Sequence, residues 1–239
     1  MTKKLLLCVA VAAAMTGCQQ KSATAKVEKL ETEEQKVAYG MGLNLGKRIK
    51  QEFKIDVDAF AQGMRHAMAD DAKPLLTEEE IQTVMQEFQK KQIAKQEADF
   101  KAKADKNKAD SEKFLAENAK AEGVKTTDSG LQYKVVTEGK GAKPKAEDTV
   151  EVNYRGTLVD GTEFDSSYKR GQSATFPVSG VIPGWTEALQ LMPVGSKFEL
   201  AIPSDLAYGP GGAGGVIGPN SALKFEVELI AIKKPEAEK

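Results

Sequence analysis

From Leu75 to Glu122 the chain carries neither proline nor glycine. These are the residues that most readily stop a helix, one through its missing N–H and a clash with the preceding turn, the other through its backbone freedom. The stretch predicts one uninterrupted helix over 77–122, opened by Thr77, whose hydroxyl can cap while Glu80, three residues on, reciprocates. At 1.5 Å per residue this is a rod of roughly 65 Å. Its first half has an apolar stripe at Ile81, Val84, Met85 and Phe88, but from Ala94 to Ala109 the pattern thins to alanine among lysine, glutamate and aspartate. The middle is expected to have little to pack against, and a helix polar all round bridges domains or pairs weakly with a copy of itself.

Ahead of the rod, Thr32 and Gln35 form a capping-box pattern that opens an amphipathic helix with Val37, Ala38, Met41, Leu45 and Ile49 on one face. A second short helix follows Asp56 or Asp58 and carries Phe60, Met64 and Met68. Two helices of this size cannot bury much by themselves. Before them, Lys3 and Lys4 precede an apolar run from Leu5 to Met15, too short to span a bilayer and suited to an export signal. Met15-Thr16-Gly17-Cys18 is similar to a bacterial lipobox, in which the cysteine is acylated; Ala23-Thr24-Ala25 offers a rival cut that would release a soluble protein. Either cut removes Cys8, so no disulfide framework is expected. The domain reading is a signal peptide at 1–17, a tether at 18–30, a helical segment at 31–76, the rod at 77–122, a globular domain at 123–233 and a frayed tail at 234–239.

Beyond Gly123 period-two alternation takes over. Leu131, Tyr133 and Val135 share one face; so do Val150, Val152 and Tyr154, then Phe198, Leu200 and Ile202, then Leu223, Phe225, Val227 and Leu229. Asp160-Gly161 is a hairpin signal, and the only helix in this half is expected from Pro183 to about Leu191. The class is α+β: an antiparallel sheet curled around one short helix, preceded by an all-α segment.

Several chemistries are disfavoured. The 34 basic and 35 acidic groups balance, leaving no electrostatic footprint for nucleic acid. His66, the single histidine, lies in a helix of the N-terminal part, so an imidazole-dependent triad is not available to the globular half. No cysteine–histidine cluster suggests a metal, and no cofactor is expected. Gly209 to Gly214 fits G-x-G-x-x-G, but a dinucleotide fingerprint must follow a strand and open a helix; here Gly218-Pro219 and a strand come next. What remains is an apolar pocket with a few polar rim groups, built around Val181-Ile182-Pro183-Gly184-Trp185.

With Val152-Asn153-Tyr154-Arg155-Gly156, Asp160 through Ser167, Ile202-Pro203 and Ala207-Tyr208-Gly209 in order, the stretch from about Gly130 to Ile232 resembles the FK506-binding-protein class of peptidyl-prolyl cis-trans isomerases. The resemblance implies a five- or six-stranded antiparallel sheet on a short helix. It makes Trp185 the floor under a prolyl ring, with Tyr154, Phe164, Phe176, Val181, Ile182, Tyr208, Val216, Ile217 and Phe225 around it. The Ile182 N–H and the Tyr208 hydroxyl would hold substrate carbonyls, and Asp165 at the rim would bond to Tyr154 and Arg170. Ala174, Gly180 and Ala213 depart from the small cytosolic members, which carry a phenylalanine, an acidic residue and a histidine there; these change the rim and not the floor.

The arrangement of the whole chain resembles the macrophage infectivity potentiator and FkpA-like group of Gram-negative bacteria. That resemblance implies a homodimer through the N-terminal helices, a periplasmic enzyme held to the outer membrane by lipid on Cys18 or else soluble, clients among proline-containing unfolded envelope proteins, and macrolide inhibitors such as FK506 and rapamycin. Two readings stay open beside an isomerase that also holds clients: a non-catalytic binding protein of the same fold, and a lipoprotein spacer.

Overall fold

Capping chemistry starts the first two helices where the sequence predicts. In the computed structural model, which describes residues 28–52 and 54–233, α1 spans Glu33–Glu52. The Gln35 N–H donates to Thr32 Oγ1 at 3.3 Å, and Gln35 Oε1 accepts from the N–H groups of Thr32 and Glu31. Helix α2, Val57–Met68, is capped by Asp56, whose Oδ1 accepts from the N–H groups of Asp58 and Ala59 at 3.0 Å each. The signal peptide, Cys18, nearly all of the tether and the 234–239 tail lie outside the described residues. No residue of α2 is buried, and Val37, Met41, Leu45, Phe60, Met64 and Met68 are exposed.

The chain divides into two compact units between Thr77 and Glu78. The second opens with α3, Glu78–Asn118, which stops four residues short of the expected 122; turns follow, and Gly123 at φ +79° takes the left-handed backbone that glycine reaches at no steric cost. The middle of this helix packs little, as expected: residues 94–103 are all exposed, and a contact face begins only at Ala104. Ala104, Asn107, Ser111, Phe114, Leu115 and Asn118 recur every three or four residues and are all at least half-buried. This face is mostly small and polar, so hydropathy did not mark it.

After α3 the described residues form seven strands: β1 Val124–Thr126, β2 Gln132–Thr137, β3 Thr149–Leu158, β4 Glu163–Ser166, β5 Ala174–Pro177, β6 Lys197–Ile202 and β7 Leu223–Lys233. All pairings are antiparallel, in the order β1-β2-β6-β7-β3-β4, with β5 on β3 as well. Seven strands replace the expected five or six, partly because one edge is interrupted: β4 pairs with the end of β3 and β5 with its start, and a one-turn helix α4, Ser167–Arg170, lies between them. Helix α4 corrects the expectation of a single helix in this half. At four residues it has no periodicity to read, although Ser166 caps it by accepting from the Lys169 N–H.

Helix α5 is Pro183–Leu191, with proline in its first turn where a missing N–H costs nothing. Trp185, Ala188 and Leu189 bury against Val152, Tyr154, Phe198, Ile202, Leu223, Phe225 and Val227 of the sheet in one core. Close approach of helix to sheet depends on Gly184: a Cβ there would lie 2.5 Å from Ile202 Cγ2.

Candidate functional site

The inward face of β3 and β7 and the first turn of α5 leave one apolar basin open. Its volume is about 430 Å³, and it is lined by Tyr154, Phe164, Asp165, Phe176, Gly180, Val181, Ile182, Trp185, Tyr208 and Phe225. Trp185, 4 % exposed, forms the floor. Its ring stands edge-on to Tyr154 (centroids 5.3 Å, 90°), Phe225 (5.2 Å, 82°) and Phe176 (6.0 Å, 87°). Phe164 meets Phe225 the same way at 5.5 Å and 85°. Edge-to-face pairs set the positive ring edge against a negative face, and they fix the walls as a unit. Trp185 Nε1 is buried without a hydrogen-bond acceptor among the described residues.

The polar rim has two parts. On one side the Tyr154 hydroxyl donates to Asp165 Oδ2 at 2.5 Å, Arg170 Nη2 donates to the Tyr154 oxygen at 2.8 Å, and Arg170 Nη1 pairs with Asp165 Oδ1. Arg170 reaches the basin only through these two partners, with its guanidinium carbon 5.3 Å from the Tyr154 ring centroid. Burial alone would raise the Asp165 carboxyl, but hydrogen bonds from Tyr154 and Arg170 outweigh it and hold the group below the ordinary aspartate value. Burial, then the bond to Asp165, pushes the Tyr154 hydroxyl upward, so it stays protonated and donating. On the other side, Ile182 is the N-cap of α5; its carbonyl accepts from the N–H groups of Trp185 and Thr186, while its own N–H meets no acceptor among the described residues. Tyr208, 43 % exposed, also lines the basin.

Two expected wall residues stand apart from the basin. Ile217 is buried in the core, and Val216 is exposed at the tip of a small hairpin closed by Ala213–Ile217 main-chain bonds of 2.8 and 3.0 Å. Two supporting residues carried no role in the sequence reading. Gly156 faces the Phe164–Phe225 pair, and a Cβ there would sit 2.7 Å from both rings. Ser167, fully buried, accepts from the Tyr154 N–H at 2.9 Å and so fixes the strand that carries the rim hydroxyl. Both lie inside the quoted motifs; only contact geometry gives them a task.

A second hollow, about 340 Å³, lies between the end of α3 and the outer face of the sheet, lined by Lys134, Arg155, Lys224, Glu199 and Glu226 with Phe114. Its charges are of both signs. Among the described residues no group of histidine, cysteine and carboxylate side chains is arranged to hold a metal ion, and no helix is long and apolar enough to cross a membrane.

An antiparallel sheet curled on one short helix, with an aromatic basin floored by tryptophan and rimmed by an aspartate–tyrosine pair, defines the FK506-binding class of isomerase fold. Residues 140–230 match the family described as FKBP-type peptidyl-prolyl cis-trans isomerase, and residues 34–135 match the domain amino terminal to FKBP-type peptidyl-prolyl isomerase. The chain is 49 % identical over 227 residues to the outer membrane protein MIP of Legionella longbeachae, covering 94 % of this chain and 97 % of that one. It is 47 % identical to the FKBP-type peptidyl-prolyl cis-trans isomerase FkpA of Aeromonas hydrophila, over 99 % of this chain and 96 % of the relative. The crystal structure of FkpA from Escherichia coli superposes with a TM-score of 0.70 at 42 % identity, covering 86 % of this chain and 99 % of that one. The chain therefore belongs to the FKBP-type peptidyl-prolyl cis-trans isomerases, in the group that includes Mip and FkpA, and is an enzyme of that class.

Proposed function

We propose that the protein turns X-Pro bonds of exported proteins by desolvating the imide and binding its twisted form. The observation that carries this is the pairing of a nearly buried aromatic floor at Trp185 with the Ile182 N–H, which meets no acceptor among the described residues, on a residue that lines the same basin. Rotation about the imide faces a barrier of ~18–20 kcal/mol that comes from C–N double-bond character. Water stabilises the planar, charge-separated amide more than the twisted one, so a pocket that removes water lowers the barrier. The Ile182 N–H and the Tyr208 hydroxyl hold the flanking carbonyls. Asp165 is committed to Tyr154 and Arg170 and serves as a fixed dipole beside the turning carbonyl, not as a base. Taking tens of seconds to milliseconds needs about 5–7 kcal/mol of differential binding, within reach of shape, desolvation and two hydrogen bonds.

Two copies associate through α1 and α2, whose apolar residues Met41, Met64 and Met68 are exposed among the described residues. Pairing gives two basins per assembly and a surface that holds unfolded clients. The export signal, and a relative named for the outer membrane, support an envelope location, with lipid on Cys18 as anchor. Mass spectrometry of the mature N-terminus decides between the anchored and soluble forms.

The test compares refolding of a client limited by a cis-proline with aggregation of a client that has no such limit. The expected result is that folded Asp165→Ala and Trp185→Ala proteins lose catalysis of the first and keep suppression of the second. Undiminished catalysis in both would leave a non-catalytic binding protein as the better reading.

A further inference from the structure

The embedded face of α3 does not end in generic packing. Ser111, 7 % exposed, donates from Oγ to the Asn220 carbonyl at 3.0 Å and accepts from the Ala222 N–H at 2.8 Å. A serine hydroxyl can do both at once, and Ala222 is fully buried, so its N–H depends on that oxygen. One turn earlier, Asn107 Nδ2 donates to the Pro219 carbonyl at 2.9 Å. The approach is possible because residue 218 is glycine: a Cβ there would stand 2.5 Å from Asn107 Nδ2.

The corner held in this way also supports the basin rim. Asn220 has a left-handed backbone at φ +55°, the one non-glycine residue in that region among those described, and its N–H donates to the Gly209 carbonyl at 3.0 Å. Gly209 directly follows Tyr208, which lines the basin, and the 213–217 hairpin joins the corner through Gly218. A left-handed asparagine costs conformational energy and persists only when its surroundings over-determine it. Ser111 and Asn107 supply that determination from a helix outside the sheet.

We propose that Ser111 and Asn107 are positioning residues for the isomerase pocket: by fixing the Pro219–Ala222 corner they set the seat of Tyr208, and through it the grip on residues flanking proline. The inference rests on the isomerase reading and deepens it. The floor at Trp185 and the Asp165 pair lie on other elements, so loosening the corner weakens substrate grip more than the turning step.

The experiment uses the full-length chain and a set of X-Pro tetrapeptides that vary in the flanking residues. Ser111→Ala and Asn107→Ala are expected to raise KM roughly 3- to 10-fold with kcat within about twofold, to change the ranking of the peptides, and to speed amide hydrogen exchange at Asn220 and Ala222. Ser111→Thr, which keeps the hydroxyl, is expected to restore all three. Should Ser111→Ala fail to fold, Asn107→Ala carries the same readouts. Folded variants with wild-type KM, ranking and exchange overturn the inference while leaving the isomerase reading intact; so does a KM change that Ser111→Thr does not restore. A wild-type protein that turns over no X-Pro peptide removes the isomerase reading itself, and this inference with it.

Discussion

The Tyr154 hydroxyl donates to the Asp165 carboxylate across 2.5 Å, with Arg170 bonded to both partners. Asp165 thereby has its lone pairs engaged by groups that keep their protons, which separates a dipolar role from an acid–base one. Asp165→Asn keeps one oxygen as an acceptor for Tyr154 but loses the charge and sets an NH2 where the second oxygen accepts from Arg170, whereas Asp165→Ala leaves the Tyr154 hydroxyl and the guanidinium without their shared partner. kcat/KM on a proline tetrapeptide is expected to fall roughly tenfold or more in the alanine variant and less than about fivefold in the asparagine variant. Equal losses in the two would point to the charge together with the oxygen that accepts from Arg170.

Trp185 touches three rings edge-on and is almost fully buried. Truncation to alanine opens a cavity in both the core and the basin floor, with an expected cost of ~3–5 kcal/mol in urea unfolding. Trp185→Phe keeps an aromatic partner for those rings and removes an N–H that has no acceptor among the described residues, so its cost is expected below about 2 kcal/mol. Comparing unfolding midpoints with kcat/KM for the two variants separates floor shape from stability.

Gly156 is a packing residue with a catalytic consequence. A Cβ would fall 2.7 Å from Phe164 and from Phe225, rings whose displacement leads into the basin. Gly156→Ala is expected to destabilise the fold by ~1–3 kcal/mol and to lower kcat/KM about fivefold or more through misplaced walls. A variant that unfolds earlier but turns over peptide as fast as wild type would show that the rings re-seat without narrowing the basin.

The main strands and α5 were legible because one side of the sheet is core: Val150, Val152 and Tyr154, like Leu223, Phe225, Val227 and Leu229, alternate as a half-buried strand must. Pro183 marked the start of α5 for an equally local reason. The basin residues were legible only by resemblance, since an isolated tryptophan or an aspartate before two serines has an ordinary structural use. What escaped was polar or glycine-mediated. Asn107 and Ser111 sit on a helix face that hydropathy cannot distinguish from a solvated one, and they bond to residues more than a hundred positions away. Gly156 and Ser167 act by what they leave room for or hold, and neither property has a periodicity.

The carboxyl of Asp165 gives the site a defined acid limit. Its native value is held below the unfolded one by Tyr154 and Arg170 against the opposing effect of burial. A depressed carboxyl contributes stability that is fully present above its unfolded value, ~3.9, and is lost as pH falls through the lower native value. Peptide turnover is therefore expected to be flat from neutral pH down to about pH 4 and to fall below it, by no more than the loss expected of Asp165→Asn, as Asp165 protonates and loosens Arg170. Asp165→Asn, which cannot titrate, is expected to lose that limb of the profile. A decline already complete between pH 6 and 7, or an acid limb unchanged in Asp165→Asn, would assign the limit to another group. Turnover followed by proton-exchange spectroscopy, with tertiary circular dichroism at each pH to exclude unfolding, makes the measurement.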